Sequence, residues 1–355
     1  MKKLFAALAS FTFIAFSIQG ISPAVAADLA PAGPGGRIHG ADISRWQHPD
    51  GKPINFVKMH DAGVAFVMIK ASDTRDDADL LAVKYLKMDR TGAQDAGIYT
   101  GFYHYAILPD VTSPSAIARD ARVQAQKVVW RIASLGGYNE KDLPIALDLE
   151  NNCVRLSSTK VCKKYATRSA ATLWSKTFLK AIKDKTGRTP FIYSSPHFLE
   201  NSLVRDKELG SYPLWIAQYA IDPANPINQP GLKNGGCYVH SWTGANCDSQ
   251  WTVWQYSSCG IAPKYGVPGN RLDLNVFRGT PSSFLALAKG SWTPSLVDLM
   301  PQQEPTVLTV VNQSASTTNK LVTFKVNVVR PSGSPVVTGN VKLVFDKTTQ
   351  PAVKP

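Results

Sequence analysis

The chain has 355 residues, 44% of them hydrophobic, and a formal net charge of +13 at pH 7; that is enough for one large core of about 200–250 residues and a smaller second piece. The basic balance draws an exported protein toward polyanions such as anionic wall polymers, but no basic run or recognition motif stands out, which argues against nucleic acid. The six histidines are scattered and neither CxxC nor HExxH occurs, so neither a metal site nor a cofactor is expected.

The chain opens with Lys2 and Lys3, an apolar run from Leu4 to Ile18, and the small-residue pattern Ala24-Val25-Ala26. These are the parts of a secretory signal peptide over 1–26, the run being short for a bilayer span of about 20 residues. No other apolar stretch is long enough to span, so the mature chain is expected to be a secreted or wall-associated monomer. Residues 27–36, rich in Ala, Pro and Gly, read as a flexible leader.

Candidate strands follow at 38–43, 64–70, 98–105, 144–150, 190–194, 213–217, 252–256 and 271–275, each a short apolar or alternating run. Amphipathic segments between them predict helices. A short one covers 55–61, and another over 79–95 sets Leu81, Tyr85 and Met88 on one face. Ser113-Pro114 and Gly136 bracket a helix over 115–135. A fourth, over 165–186, aligns Ala170, Trp174, Phe178, Ala181 and Ile182 and stops before Gly187; a fifth lies near 196–207. Strand–helix alternation predicts a parallel sheet, and eight strands over about 250 residues predict its closure into a barrel over 37–290. Helices fade late in the chain, so the α/β barrel, of TIM type, should be irregular. Residues 291–305 read as a linker. In 306–355, Val322, Phe324, Val326 and Val328 alternate with polar residues, as do Val341, Leu343 and Phe345. This predicts a small all-β, partial immunoglobulin-like segment.

In a parallel barrel, chemistry gathers at the C-terminal strand ends. The first strand ends in Asp42 and Ser44, followed by Trp46-Gln47, and the second in Lys70. The third ends in Tyr103-His104-Tyr105 and the fourth in Asp148-Leu149-Glu150. Trp215, Gln218 and Tyr219 end the sixth, Gln255 the seventh, and Asp273 lies on the eighth. Four carboxylates should therefore meet at one mouth with several aromatic rings. Asp148 and Glu150, two apart on a strand, share a face. Crowding two carboxylates pushes one pKa up, giving a proton donor beside an anionic partner, the combination that glycosidic cleavage needs. Tyr103, Tyr105, Trp215, Tyr219 and Tyr256 could stack on sugar or simply pack the core. Lys70 could bind substrate or form a structural ion pair with Asp42. His104 reads better as a hydrogen-bonded strand-end residue than as a base.

The five cysteines suit an oxidising compartment. Cys153 with Cys162 closes a short loop and is the favoured pair, with Cys237–Cys247 next. Cys259 would then be odd, Cys237–Cys259 and Cys247–Cys259 remaining open.

The run Gly40-Ala41-Asp42-Ile43-Ser44-Arg45-Trp46-Gln47 resembles the opening motif of glycoside hydrolase family 25 lysozymes. Further matching segments are Phe66–Ala71, Gly101–Tyr105, Ala146–Glu150, Leu214–Tyr219, Trp254–Ser258 and Leu272–Asn275. Order and spacing fit over about 38–288. The resemblance implies an irregular barrel of eight strands and about five helices. It also implies N-acetylmuramidase activity on the β-1,4 bond from N-acetylmuramic acid to N-acetylglucosamine in peptidoglycan glycan strands. By that resemblance Glu150 is the general acid, Asp148 steadies developing charge or positions an acetamido group, and Asp42 and Asp273 complete the acidic set. Tyr103, Tyr105, Trp215, Tyr219, Gln255 and Lys70 are the candidate substrate contacts. Inversion and acetamido participation both stay open. The Cys153–Cys162 segment and residues 222–250 look like elaborations at the mouth. Two alternatives are a wall-binding protein without activity and a chitinase-like glycosidase, although the longer DGxDxDxE pattern of the latter is absent.

Overall fold

The computed structural model describes residues 29, 31–230, 232–233, 236–237, 251–299, 307–316, 321–329, 344–345 and 348–349. The expected signal peptide lies outside them, as does Cys247.

Eight strands close into a barrel. In chain order the elements are β1 (Ile38–Ile43), α1 (Phe56–Asp61), β2 (Val64–Asp73), α2 (Asp76–Asp95), β3 (Tyr99–Tyr105), α3 (Pro114–Ala133) and β4 (Asp142–Asp148). A hairpin of β5 (Cys153–Leu156) and β6 (Cys162–Tyr165) precedes α4 (Arg168–Thr186). Then come β7 (Phe191–Ser194), α5 (Pro196–Ser202), β8 (Leu214–Ala217), the short pair β9 (Leu232–Lys233) and β10 (Gly236–Cys237), β11 (Trp251–Ile261), β12 (Arg271–Phe277) and α6 (Pro281–Ala288). The order around the barrel is β1-β12-β11-β8-β7-β4-β3-β2.

The helices end where their sequence says they should. Ser113 and Thr167 accept hydrogen bonds from the first-turn amides of Ala116 and Ala170, and Gly187, at φ 70°, stops α4 in the left-handed conformation that spares only glycine a steric cost. One helical face differs from expectation. In α2 Tyr85 is buried, but Met88 is 43% exposed, and the inward face is Ala78, Ala82, Leu86, Asp89, Arg90 and Ala93. Two charges turn inward because each finds a partner: Asp89 meets His48 at 3.0 Å and Arg90 meets Asp142 at 2.5 Å.

Seven strands run parallel to their barrel neighbours where they meet one another, but β12 is antiparallel to both β11 and β1. The expectation of a wholly parallel sheet fails here for a covalent reason. Only a short turn, closed by Gly266 at φ 72°, joins β11 to β12, and a parallel return needs a crossover of a dozen residues or more. The reversal sets Asp42 directly opposite Asp273.

Two apolar layers hold the barrel. One lies between the strands and the helices, with Trp174, Phe178, Leu147, Leu149 and Ile192 fully buried. The other fills the interior with Phe66, Met68, Phe191, Trp215 and Phe277. Gly40 and Gly101 are bare because a side chain there would overlap Phe66 and Met68. A sixth helix, α6, went unread in the sequence and closes the end opposite the mouth. Its Phe284 ring lies 5.2–5.5 Å from those of Phe66, Tyr99 and Phe277.

Residues 291–299, expected as linker, are tied to the barrel. Trp292 and Tyr138 exchange two backbone hydrogen bonds, and Lys185 pairs with Asp298 at 2.6 Å. Beyond them, β13 (Val307–Ser316) and β14 (Leu321–Val329) pair as an antiparallel ladder.

Candidate active site

The strand ends that point away from α6 line one cleft of about 310 Å³. Asp42 and Ser44 come from β1, Lys70 from β2, Tyr103 and Tyr105 from β3, Asp148 and Glu150 from β4, and Trp215 from β8. Gln255 comes from β11 and Asp273 from β12. The four sequence-selected carboxyls therefore share one space. Asp273 reaches it from near the start of its strand, because a reversed strand begins where its neighbours end.

Asp42 is 6% exposed. Its Oδ2 accepts hydrogen bonds from Gln255 Nε2 and Asn275 Nδ2, both at 2.8 Å. Those bonds favour the anion, yet burial and then the charge of Asp273 drive its carboxyl well above the usual range. Burial likewise pushes Asp273 up to about 6, within hydrogen-bonding reach of Asp42. Two carboxyls facing each other across a ladder repel when both are ionised, so this pair holds a proton between them.

The second pair is asymmetric. Asp148 is the last residue of β4, buried, and its Oδ1 has no hydrogen-bond partner among the described residues. Leu149 continues the ladder by donating to the Tyr193 carbonyl at 3.0 Å, and its side chain is buried in the outer layer. Alternation thus turns Asp148 and Glu150 to the same side although Glu150 lies past the strand. Glu150 is exposed. The carboxyl raised well above its usual value is Asp148, first by burial and then by the neighbouring charge of Glu150. Burial thus acts most strongly on the deeper residue of the pair.

A hydrogen-bond chain fixes the floor. Trp215, 2% exposed, donates from Nε1 to Asn275 Oδ1 at 2.7 Å, and Asn275 donates on to Asp42. The Gln255 Oε1 accepts from the hydroxyls of Tyr193 at 2.8 Å and Tyr219 at 2.6 Å. Tyr193 packs on Trp215 with ring centres 4.4 Å apart, and Tyr103 meets its edge at 6.1 Å. Tyr219 touches the site through its hydroxyl and does not line the cleft, and Tyr256 sits outside it against His39, to whose Nε2 its hydroxyl is bonded at 3.0 Å. Tyr193 and Asn275 were missed by sequence reasoning. Asn275 carried a signal, since it shares a face with Asp273 by period two; Tyr193 carried none beyond its strand.

Lys70 makes its ion pair with Asp73 at 2.6 Å, and not with Asp42 as one reading expected. The carboxylate of Asp73 ends the same strand, within reach of a side chain three residues back. His104 is fully buried, between Ser72 Oγ at 2.8 Å and Gln124 Oε1 at 3.0 Å; burial lowers it to about 4, so it stays neutral and away from the cleft. Cys153 and Cys162 are bonded, with Cα atoms 5.8 Å apart, closing the β5–β6 hairpin just after Glu150. Cys237–Cys247 lies partly outside the described residues, among which Cys259 is exposed and free.

Comparison with known proteins places this geometry in context. The family model described as glycosyl hydrolases family 25 matches residues 41–265. An N,O-diacetylmuramidase of Arthroderma benhamiae is 31% identical over 237 residues, covering 64% of this chain and 87% of the relative. The uncharacterized protein YegX of Escherichia coli (strain K12) is 28% identical over 256 residues, 71% of this chain and 74% of that one. Among solved structures, the bacterial lysozyme of Streptomyces coelicolor has 27% identity and a TM-score of 0.48, with 71% of this chain and 97% of the other covered. A family GH25 lysozyme of Aspergillus fumigatus has 26% identity and a TM-score of 0.49, with 71% and 99% covered.

Proposed function

The chain belongs to glycosyl hydrolases family 25, and on that premise we propose that it is a lysozyme whose Glu150 protonates the leaving oxygen of a β-1,4 bond between N-acetylmuramic acid and N-acetylglucosamine in peptidoglycan. The observation that carries this reading is the pairing at the end of β4, where Asp148 is buried and Glu150 is exposed on the same cleft.

Both carboxyls line the cleft, but Glu150 is the exposed one and so the one placed to meet a glycosidic oxygen. In the free protein the shared proton resides on Asp148. A sugar seated over Glu150 excludes water from it and raises its cost of ionisation, so the proton passes from Asp148 to Glu150 and on to the leaving oxygen. Asp148 is then an anion beneath the sugar carbon where positive charge develops, which lowers the barrier. Asp42 and Asp273, sharing a proton, add a second acidic wall without adding two full charges. Tyr103 and Tyr105 offer ring surfaces to the glycan, Trp215 backs them from the floor, and Gln255 holds Asp42 in place.

The chain is proposed to act outside the membrane as a monomer. The Cys153–Cys162 bond and the N-terminal sequence support export, and no helix among the described residues is long and apolar enough to cross a membrane.

Mass spectrometry of digested wall tests the reaction through new reducing ends at muramic acid. Glu150→Gln is expected to cost about 10³-fold in kcat with the fold retained, as removal of a general acid does. An active Glu150→Gln protein, or wall binding without soluble products, defeats the assignment.

A further inference from the structure

We propose that Arg75, with Arg45 lining the same cleft, recognises a carboxylate on the substrate and so sets which glycan the cleft prefers; this rests on the lysozyme reading above. The cleft is not uniformly acidic. Its cations, Arg45, Lys70 and Arg75, all come from the ends of β1 and β2, whereas Asp148 and Glu150 come from β4. Two strand spacings, roughly 10 Å, separate β2 from β4, so a positive sector stands beside the proposed point of cleavage, within the reach of a bound disaccharide.

Arg75 is built into place. Asp73, with its side chain fully buried, accepts from Arg75 Nε at 2.9 Å and Nη2 at 2.8 Å, and also from the Arg75 backbone amide at 2.9 Å. Beneath the guanidinium lies the Tyr105 ring, 4.9 Å from Cζ to the ring centre. Nη1 makes no hydrogen bond with the described residues, and the side chain is 50% exposed. A planar cation clamped along one edge and open along the other is preorganised for a carboxylate. Lys70 uses the same Asp73 oxygen at 2.6 Å, so one carboxylate serves two cations. The exposed Asp77 offsets part of that excess, while Arg45, stacked on Trp46 at 4.2 Å, pairs with no carboxylate among the described residues. Nothing in the proton-transfer chemistry uses Arg45 or Arg75.

Muramic acid supplies the matching group, as a free lactyl carboxylate or, where that is amide-linked, as the carboxylates of the attached peptide. Three glycans separate the sources: peptide-bearing fragments, the same fragments stripped by an amidase, and stripped fragments neutralised by coupling methylamine to the lactyl carboxyl. Affinity is read as KM, or as Ki against the peptide-bearing fragment where a glycan is not turned over. Arg75→Gln is expected to weaken affinity about tenfold, a charge-assisted hydrogen bond discounted for exposure, with kcat within about twofold and the neutralised glycan unaffected. Arg75→Lys, which keeps the charge but not the clamped fork, should recover only part of the loss. Loss on the peptide-bearing fragment alone assigns the peptide, loss on the stripped one alone assigns the lactyl group, and loss on both means either serves. Equal loss on the neutralised glycan, or none anywhere, overturns the proposal. If the unmutated protein releases no reducing ends at all, the lysozyme reading is what has failed.

Discussion

At the residue scale, the acidic set was readable because strands alternate. Asp148 and Glu150 are two apart, and Asp42 and Asp273 lie on apolar staves, so their side had to be the inner one. Which carboxyl would be the buried one was not readable, because tertiary packing decides depth: both line the cleft, but Asp148 is buried and Glu150 exposed. The same physics gives a pH prediction. Asp273 is held at about 6, above the 3.8 of a free side chain, so the folded state binds its proton more tightly than the unfolded chain does. Its contribution to stability is whole below about pH 4 and is lost as pH rises through about 6. Asp273→Asn keeps the hydrogen-bonding shape without the charge. We expect it to raise Tm at pH 7 by about 2–4 °C, with the gain gone at pH 4; a gain of equal size at both values would dissociate the pair from the effect.

At the element scale, helices with an apolar stripe and capping chemistry were legible, and their ends were located to within a few residues. Helix α6 was not, because Pro281–Ala288 is short and its role is to fill the barrel end rather than to cover a strand. Phe284 touches three aromatic residues from three strands. Phe284→Ala should therefore cost about 3–5 kcal/mol, measured by denaturant unfolding, and a cost under 1 kcal/mol would mean that α6 does not plug the barrel. The β5–β6 hairpin depends on its covalent staple and on Asp110, which binds Arg155 at 2.5 Å and Lys164 at 2.7 Å. Closing a loop with a sequence separation of 9 restricts the open state by about 2–3 kcal/mol. With Cys153→Ser and Cys162→Ser together, amide exchange over 153–165 should accelerate by about 50-fold while the barrel strands keep their protection. Unchanged exchange there would leave the ion pairs as the true clamp.

At the scale of the whole molecule, composition marked the change of character after residue 290, but composition cannot see contacts. Trp292 and Asp298 lie in a Pro- and Ser-containing stretch and are nonetheless fastened to Tyr138 and Lys185. We propose that the segment beyond them spaces or anchors the enzyme on the wall, with the boundary after residue 299. A chain ending there should match the full protein on soluble glycan fragments within about twofold and sediment less with insoluble wall, whereas ending at residue 290 should also lower Tm. Loss of activity on soluble fragments in the chain ending at residue 299 would contradict that division of labour.

The amino-acid order alone settled the class of the fold, the strands that build it and the residues at the strand ends, because burial periodicity and end-capping are local and are written in neighbouring residues. Tertiary structure alone decided the direction of β12, the partner of Lys70 and the side on which cations gather. It also decided which member of the β4 pair is buried. Each of those depends on desolvation and on charges that are distant along the chain yet only ångströms apart in space.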